Sequence, residues 1–181
     1  VFGIMSGEGE ETFCEVIDYY YGKRELADID GITWRKERKE KGTSSGQNGM
    51  EAVYRICSTK PRRPLNMDRI PFVYENLDVF ENRIIYYESS RGCPFSCSYC
   101  LSSIDKSVRF RSTELVKKEL QFFLDRKVPQ VKFVDRTFNC RHSHSLEIWN
   151  YIREHDNGVT NFHFEIAADL FNEEELQVLS E

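Results

Sequence analysis

No stretch of the 181 residues is apolar for long enough to span a bilayer, and no signal-peptide pattern opens the chain. A soluble, cytoplasmic protein with no membrane partner is therefore expected. Positive charge is also in short supply. The chain has 25 Lys and Arg against 30 Asp and Glu, a net charge of -5, whereas broad nucleic-acid binding rests on neutralising phosphates. That leaves a small molecule as the expected reactant, with room only for a local basic patch. Six cysteines are too few for a disulfide scaffold, and three of them crowd too closely to pair without strain, as suits a reducing compartment. Cys14, Cys57 and Cys140, outside that crowd, are expected to pack as small apolar residues. Cys140 lies nearest the expected active face.

What the chain does have is a Cys-x3-Cys-x2-Cys loop, Cys93, Cys97 and Cys100, directly after the β-branched and aromatic run Arg83 to Tyr87. Three thiolates on one short loop suit a soft metal centre. Three rather than four leave a coordination position for a reactant. A structural zinc site would need a second knuckle and a fourth ligand. There is no second knuckle, and His142, His144, His155 and His163 all lie well downstream. A non-catalytic zinc or iron-sulfur binding module stays open as the alternative.

The full stretch, Arg91-Gly92-Cys93-Pro94-Phe95-Ser96-Cys97-Ser98-Tyr99-Cys100, resembles the signature loop of radical S-adenosylmethionine (radical SAM) enzymes. The resemblance implies that Cys93, Cys97 and Cys100 ligate three irons of a 4Fe-4S cluster whose fourth iron is chelated by the amino and carboxylate groups of SAM. It implies reductive cleavage of the sulfonium and a 5'-deoxyadenosyl radical, with electrons from a flavodoxin or ferredoxin. Tyr99 would pack beside the adenine. An RNA-modifying member of the family is a further alternative, disfavoured by the acidic balance.

The chain begins, at Val1 to Met5, inside what reads as a buried strand and ends at Glu181 in a helical pattern only just begun, so a piece of a longer protein is expected. Ser6 to Phe13 reads as a glycine turn opening a helix, with Phe13, Val16, Ile17 and Tyr20 at helical spacing. Glu8, Glu10 and Glu11 suit the helix dipole but oppose a phosphate there. This strand, turn and helix resemble the end of the Rossmann-like cobalamin-binding domain that precedes the barrel in B12-dependent radical SAM proteins of the anaerobic cyclase and methyltransferase kind. That implies cobalamin as a cofactor of the whole protein. Ile32 to Glu37 and Glu51 to Ser58 read as a hairpin joined by a polar tip from Lys41 to Gly49. Pro61, Pro64 and Pro71 mark an extended linker. The expected division is 1–60, the domain end and hairpin; 61–82, the linker; and 83–181, the start of the barrel.

From Arg83 onward the pattern is βαβαβ, an α/β arrangement expected to be the first three units of a partial (β/α) barrel. The expected strands are Arg83 to Glu88, Val131 to Val134 and Phe162 to Ala167. The helices start at Ser112 or Thr113, near Ser143 and near Asn172, the first with an apolar stripe of Leu115, Val116, Leu120, Phe123 and Leu124. Chemistry in such barrels sits at the C-terminal ends of the strands. That rule selects Glu88, Asp135, Arg136, Thr137, Asn139, Glu165 and Asp169. The family's Gly-Gly-Glu-like motif for the amino group of SAM is replaced by Asp135-Arg136-Thr137, where Asp135 could accept from an ammonium. Glu165, in an apolar strand, is expected to be buried and to contact SAM or pair with a cation such as Arg136. Asp169 reads as a helix-start cap. Arg91, Lys106, Arg109 and Arg111 flank the loop as candidates for an acidic substrate. An unpaired edge at the third strand or its neighbour predicts dimerisation, domain swapping or disorder of the chain when it stands alone.

Overall fold

The computed structural model describes residues 2–41, 50–81, 83–103 and 107–181. It falls into two units, Val1–Leu65 and Asn66–Glu181. The hairpin tip, from residue 42 to 49, and Lys106 lie outside the described residues.

In the first unit, strand β1 (Gly3–Met5) pairs antiparallel with β2 (Ile32–Lys41), which pairs antiparallel with β3 (Met50–Ser58). Helix α1 (Glu10–Tyr20) follows the Gly7 turn. A small core of Leu26, Ile29 and Ile32 is packed by Val16, Tyr19 and Trp34. Two expectations fail here. Strand β1 is exposed rather than buried, and Phe13, Ile17 and Tyr20 of the α1 stripe stay exposed, because one helix supplies too little apolar surface to cover three strands and itself. Glu8 and Glu11 have internal partners, the Leu65 amide (2.6 Å) and Arg62 (3.2 Å), and Arg62 also reaches Thr12 (2.7 Å) and Glu15.

In the second unit, strands β4 (Ile85–Tyr87), β7 (Gln130–Phe133) and β8 (Asn161–His163) form a parallel sheet in that order. The register sets Ile85 beside Val131 and Val131 beside Phe162. Between them run a short ribbon, β5 (Ser90–Arg91) with β6 (Arg109–Phe110), and helices α2 (Thr113–Asp125) and α3 (His142–Glu154), with α4 (Glu173–Ser180) last. The helices bury alternate strand residues, Ile85, Tyr87, Val131 and Phe133, against Val116, Leu120, Phe123, Ile148 and Trp149. Tyr86, pointing to the other face, is 54% exposed. Among the described residues one sheet is parallel and two are antiparallel, and no closed barrel forms.

The segment after Asn66 belongs to this core. Phe72, Tyr74, Leu77 and Phe80 pack on it, and the Phe72 ring lies 5.2 Å from Phe122 and 5.5 Å from Phe123. Strand β8 stops at His163, short of the expected Ala167. The Asn139 amide takes over there, exchanging hydrogen bonds with Ala167 N (2.9 Å) and O (2.9 Å). Helix α4 opens with a capping box between Asn172 and Glu175, so Asn172 rather than Asp169 is the cap; Asp169 sits in the preceding 3-10 turn, Ala168–Leu170. Glu175 is fully buried and also meets His142 (2.9 Å) and Ser145 (2.8 Å). Asn172→Ala is expected to cost about 1 kcal/mol, read as a lower urea midpoint.

Candidate functional site

The C-terminal ends of β4 and β7 and the chain just past β8 carry most of the residues expected to do chemistry. After β4 the chain turns through Glu88 and Ser89 into β5, and Gly92 then opens the cysteine loop. Gly92 has φ +111°, and a Cβ there would lie 2.3 Å from the Ser107 carbonyl oxygen. Only glycine lets the outgoing and returning arms of the loop cross this closely.

Cys93 is buried at the base of the loop, its Sγ 3.7 Å from Thr137 Oγ1. Cys97 is exposed and Cys100 half-buried, joined by a 3.1 Å hydrogen bond from the Cys100 amide to the Cys97 carbonyl. Among the described residues no three His, Cys, Asp or Glu side chains converge into a metal-holding group. The donor set itself fits a soft iron-sulfur centre: three thiols on one eight-residue loop, one anchored and two nearer solvent. Of the histidines, His142 is held by Glu175, His144 lies near Ser89, and His155 stacks on Tyr151 at 4.1 Å.

Beside the loop is a cavity of about 530 Å³ whose lining includes Glu88, Ser90, Arg91, Val134 and Arg136. Arg91 clamps Glu88 through Nε (2.9 Å) and Nη2 (2.6 Å). Tyr99 is 91% exposed. Arg111 is structural: it is buried with Glu119 and donates to the Met67 and Ile70 carbonyls.

Asp135 is turned inward. Its carboxylate accepts from Ser89 N (3.1 Å) and Ser89 Oγ (2.8 Å), and Ser89 Oγ lies 3.2 Å from His144 Nε2. Burial pushes the Asp135 carboxyl up to about 6, partly offset by the Ser90 and Ser89 hydrogen bonds. Burial, with help from Arg141, pulls His144 down to about 4, so its ring is neutral at pH 7. Burial and then the Asp135 charge raise the Cys140 thiol, which is half-buried, as is Cys57; Cys14 is exposed, contrary to expectation.

Glu165 is not buried: its side chain is 43% exposed and pairs with Lys132 at 3.5 Å rather than with Arg136. Its strand had already ended, and its carbonyl accepts from the Phe138 amide (2.8 Å). The structure thus brings Cys93, Thr137 and the cavity together and sets Asp135 behind them. Sequence reasoning missed Ser89 and His144. The available signal was a histidine at the start of a helix that follows the second strand, on the active face of such a sheet.

No family model matches the chain. It is 30% identical over 156 residues to the uncharacterized methyltransferase PH0819 of Pyrococcus horikoshii, covering 80% of this chain and 30% of that protein. Its fold matches that of the radical SAM methyltransferase TsrM from Kitasatospora setae, solved with tryptophan and aza-SAM, at TM-score 0.66 and 19% identity, over 99% of this chain and 35% of that one. It also matches the cobalamin-dependent SAM radical enzyme OxsB, solved with aqua-cobalamin and SAM, at TM-score 0.62 and 18% identity, over 90% of this chain and 22% of that one. The chain spans about a third or less of the length of these relatives. Its α/β fold is that of part of such enzymes.

Proposed function

We propose that the chain carries the SAM-activating end of a cobalamin-dependent radical SAM methyltransferase. The observation that carries this reading is the three-cysteine loop at the C-terminal end of β4, beside a cavity large enough for a nucleoside-sized ligand. Cys93, Cys97 and Cys100 would hold a 4Fe-4S cluster, which when bound supplies the electron for reductive cleavage of SAM.

The chain's own residues prepare that site. Gly92 permits the close crossing of the loop arms, Thr137 borders Cys93, and the Arg91–Glu88 clamp stiffens the turn into the loop. Tyr99 offers an exposed ring for the adenine. Asp135, engaged by Ser89, orders the strand ends from behind, and Glu165, partly exposed and paired with Lys132, would turn its carboxylate to the amino group of SAM. The first three strands of a radical SAM barrel account for the parallel β4, β7 and β8, and the end of a cobalamin-binding domain accounts for the first unit. A flavodoxin or ferredoxin would supply the electron, and the methyl acceptor is a small molecule.

Anaerobic reconstitution with iron and sulfide tests the reading. About four irons per chain are expected, falling below about one in Cys97→Ala. One tightly bound zinc with no iron would favour a non-catalytic metal module and sink the proposal.

A further inference from the structure

Among its described lining residues, the cavity beside the cysteine loop carries more positive than negative charge. The ionisable groups among them are Glu88, Arg91 and Arg136. Glu88 is consumed by the two-point clamp from Arg91. Arg136 is exposed, and no carboxylate among the described residues pairs with it. Its orientation follows from its neighbour. Asp135 is drawn inward by Ser89 N and Oγ, and the next residue, in the turn that follows β7, is left facing the cavity.

The geometry points to Arg136 as the anion anchor of this cavity, taking a carboxylate of the bound ligand, with Ser89 and Asp135 as its positioning residues. A guanidinium presents a planar fork matched to the two oxygens of a carboxylate, and Ser102 lines the same cavity as a further donor. An uncompensated arginine would disfavour a cationic group against it and favour an anion. The inference rests on the reading of this cavity as the reactant site. The carboxylate has two possible sources, the amino-acid portion of SAM or a separate carboxylate substrate.

Calorimetric titration of the iron-reconstituted chain separates them. The probes are S-adenosylhomocysteine, 5'-methylthioadenosine, which lacks the amino-acid carboxylate, and succinate, whose binding is also read from the Arg136 Nε nuclear resonance. If the anchor holds the cofactor, Arg136→Gln weakens S-adenosylhomocysteine by about ten- to a hundredfold, the range expected for a charge-assisted hydrogen bond, and leaves 5'-methylthioadenosine unchanged. Arg136→Lys restores part of the loss. If the anchor holds a separate substrate, S-adenosylhomocysteine is unaffected, while succinate shifts the Arg136 resonance saturably and loses its binding in Arg136→Gln. Unchanged affinity for every probe, with iron content intact, overturns the inference. Succinate binding without any nucleoside binding leaves the anchor standing and overturns the SAM reading alone.

Discussion

Replacing Glu119 with alanine is expected to destabilise the second unit by about 3–5 kcal/mol, read as a fall in the urea midpoint at unchanged slope. Glu119 and Arg111 are each only 5% exposed. The carboxylate accepts from Arg111 Nε (2.9 Å) and Nη2 (2.5 Å) and from the Tyr87 hydroxyl (2.6 Å). Burial first, then the Glu119 charge, keeps the Tyr87 phenol protonated far above its ordinary range, so it is a committed donor. Alanine would leave a buried guanidinium without a counter-charge and a buried hydroxyl without an acceptor. Arg111 could not swing out to water without giving up the Met67 and Ile70 carbonyls (2.6 and 3.0 Å). The double variant Arg111→Met with Glu119→Leu removes both charges and is expected to recover more than half of the loss. A double variant no more stable than Glu119→Ala would show that the ion pair is not the origin of the effect.

Asp135→Asn is expected to reveal a pH dependence that the native protein conceals. Asp135, raised from 3.8 to about 6, favours the fold at acid pH, and that contribution is lost as pH rises through about 4 to 6. His144, lowered from 6.5 to about 4, favours the fold above 6.5, and that contribution is lost as pH falls toward 4. Each is worth about 3 kcal/mol, and over the shared window the two slopes oppose and nearly cancel. Asparagine is the same shape: its oxygen can accept from Ser89 N while its amide donates to Ser89 Oγ, which then donates to the neutral His144 ring. With Asp135 gone, only the His144 slope remains, so stability should rise by about 3 kcal/mol between pH 4 and 6.5, relative to the native profile. His144→Gln should show the opposite slope. Arg141 and Glu147, which also act on His144, and Cys140, which faces Asp135, are unchanged in both variants. Parallel profiles for Asp135→Asn and the native chain would dismiss this pairing.

The sequence made some of this legible, and the reasons differ by residue. The α2 stripe of Val116, Leu120, Phe123 and Leu124 was readable because one helix face meets one sheet face, and local spacing records that. The cysteine loop was readable because its ligands are close in the chain. The end of β8 was not, because its alternation of Phe162 and Phe164 continues past the point where Phe138 N and the Asn139 amide, both distant in sequence, take its backbone groups. Asp135 was noticed, but its inward turn depends on Ser89, 46 residues away in the chain. Arg111 looked like a substrate residue because its partner Glu119, though only two turns along, gives no sign in sequence that both are buried.

On the proposed function, Cys93, Cys97 and Cys100 hold an iron-sulfur cluster with one iron free to take SAM. Electron paramagnetic resonance of the anaerobically reconstituted and reduced chain tests it most directly. A reduced-cluster signal is expected whose g values and line shape change when SAM is added, with the signal absent in Cys97→Ala. A cluster signal that SAM leaves unaltered at saturating concentration, or a protein that takes up no iron at all, would contradict it.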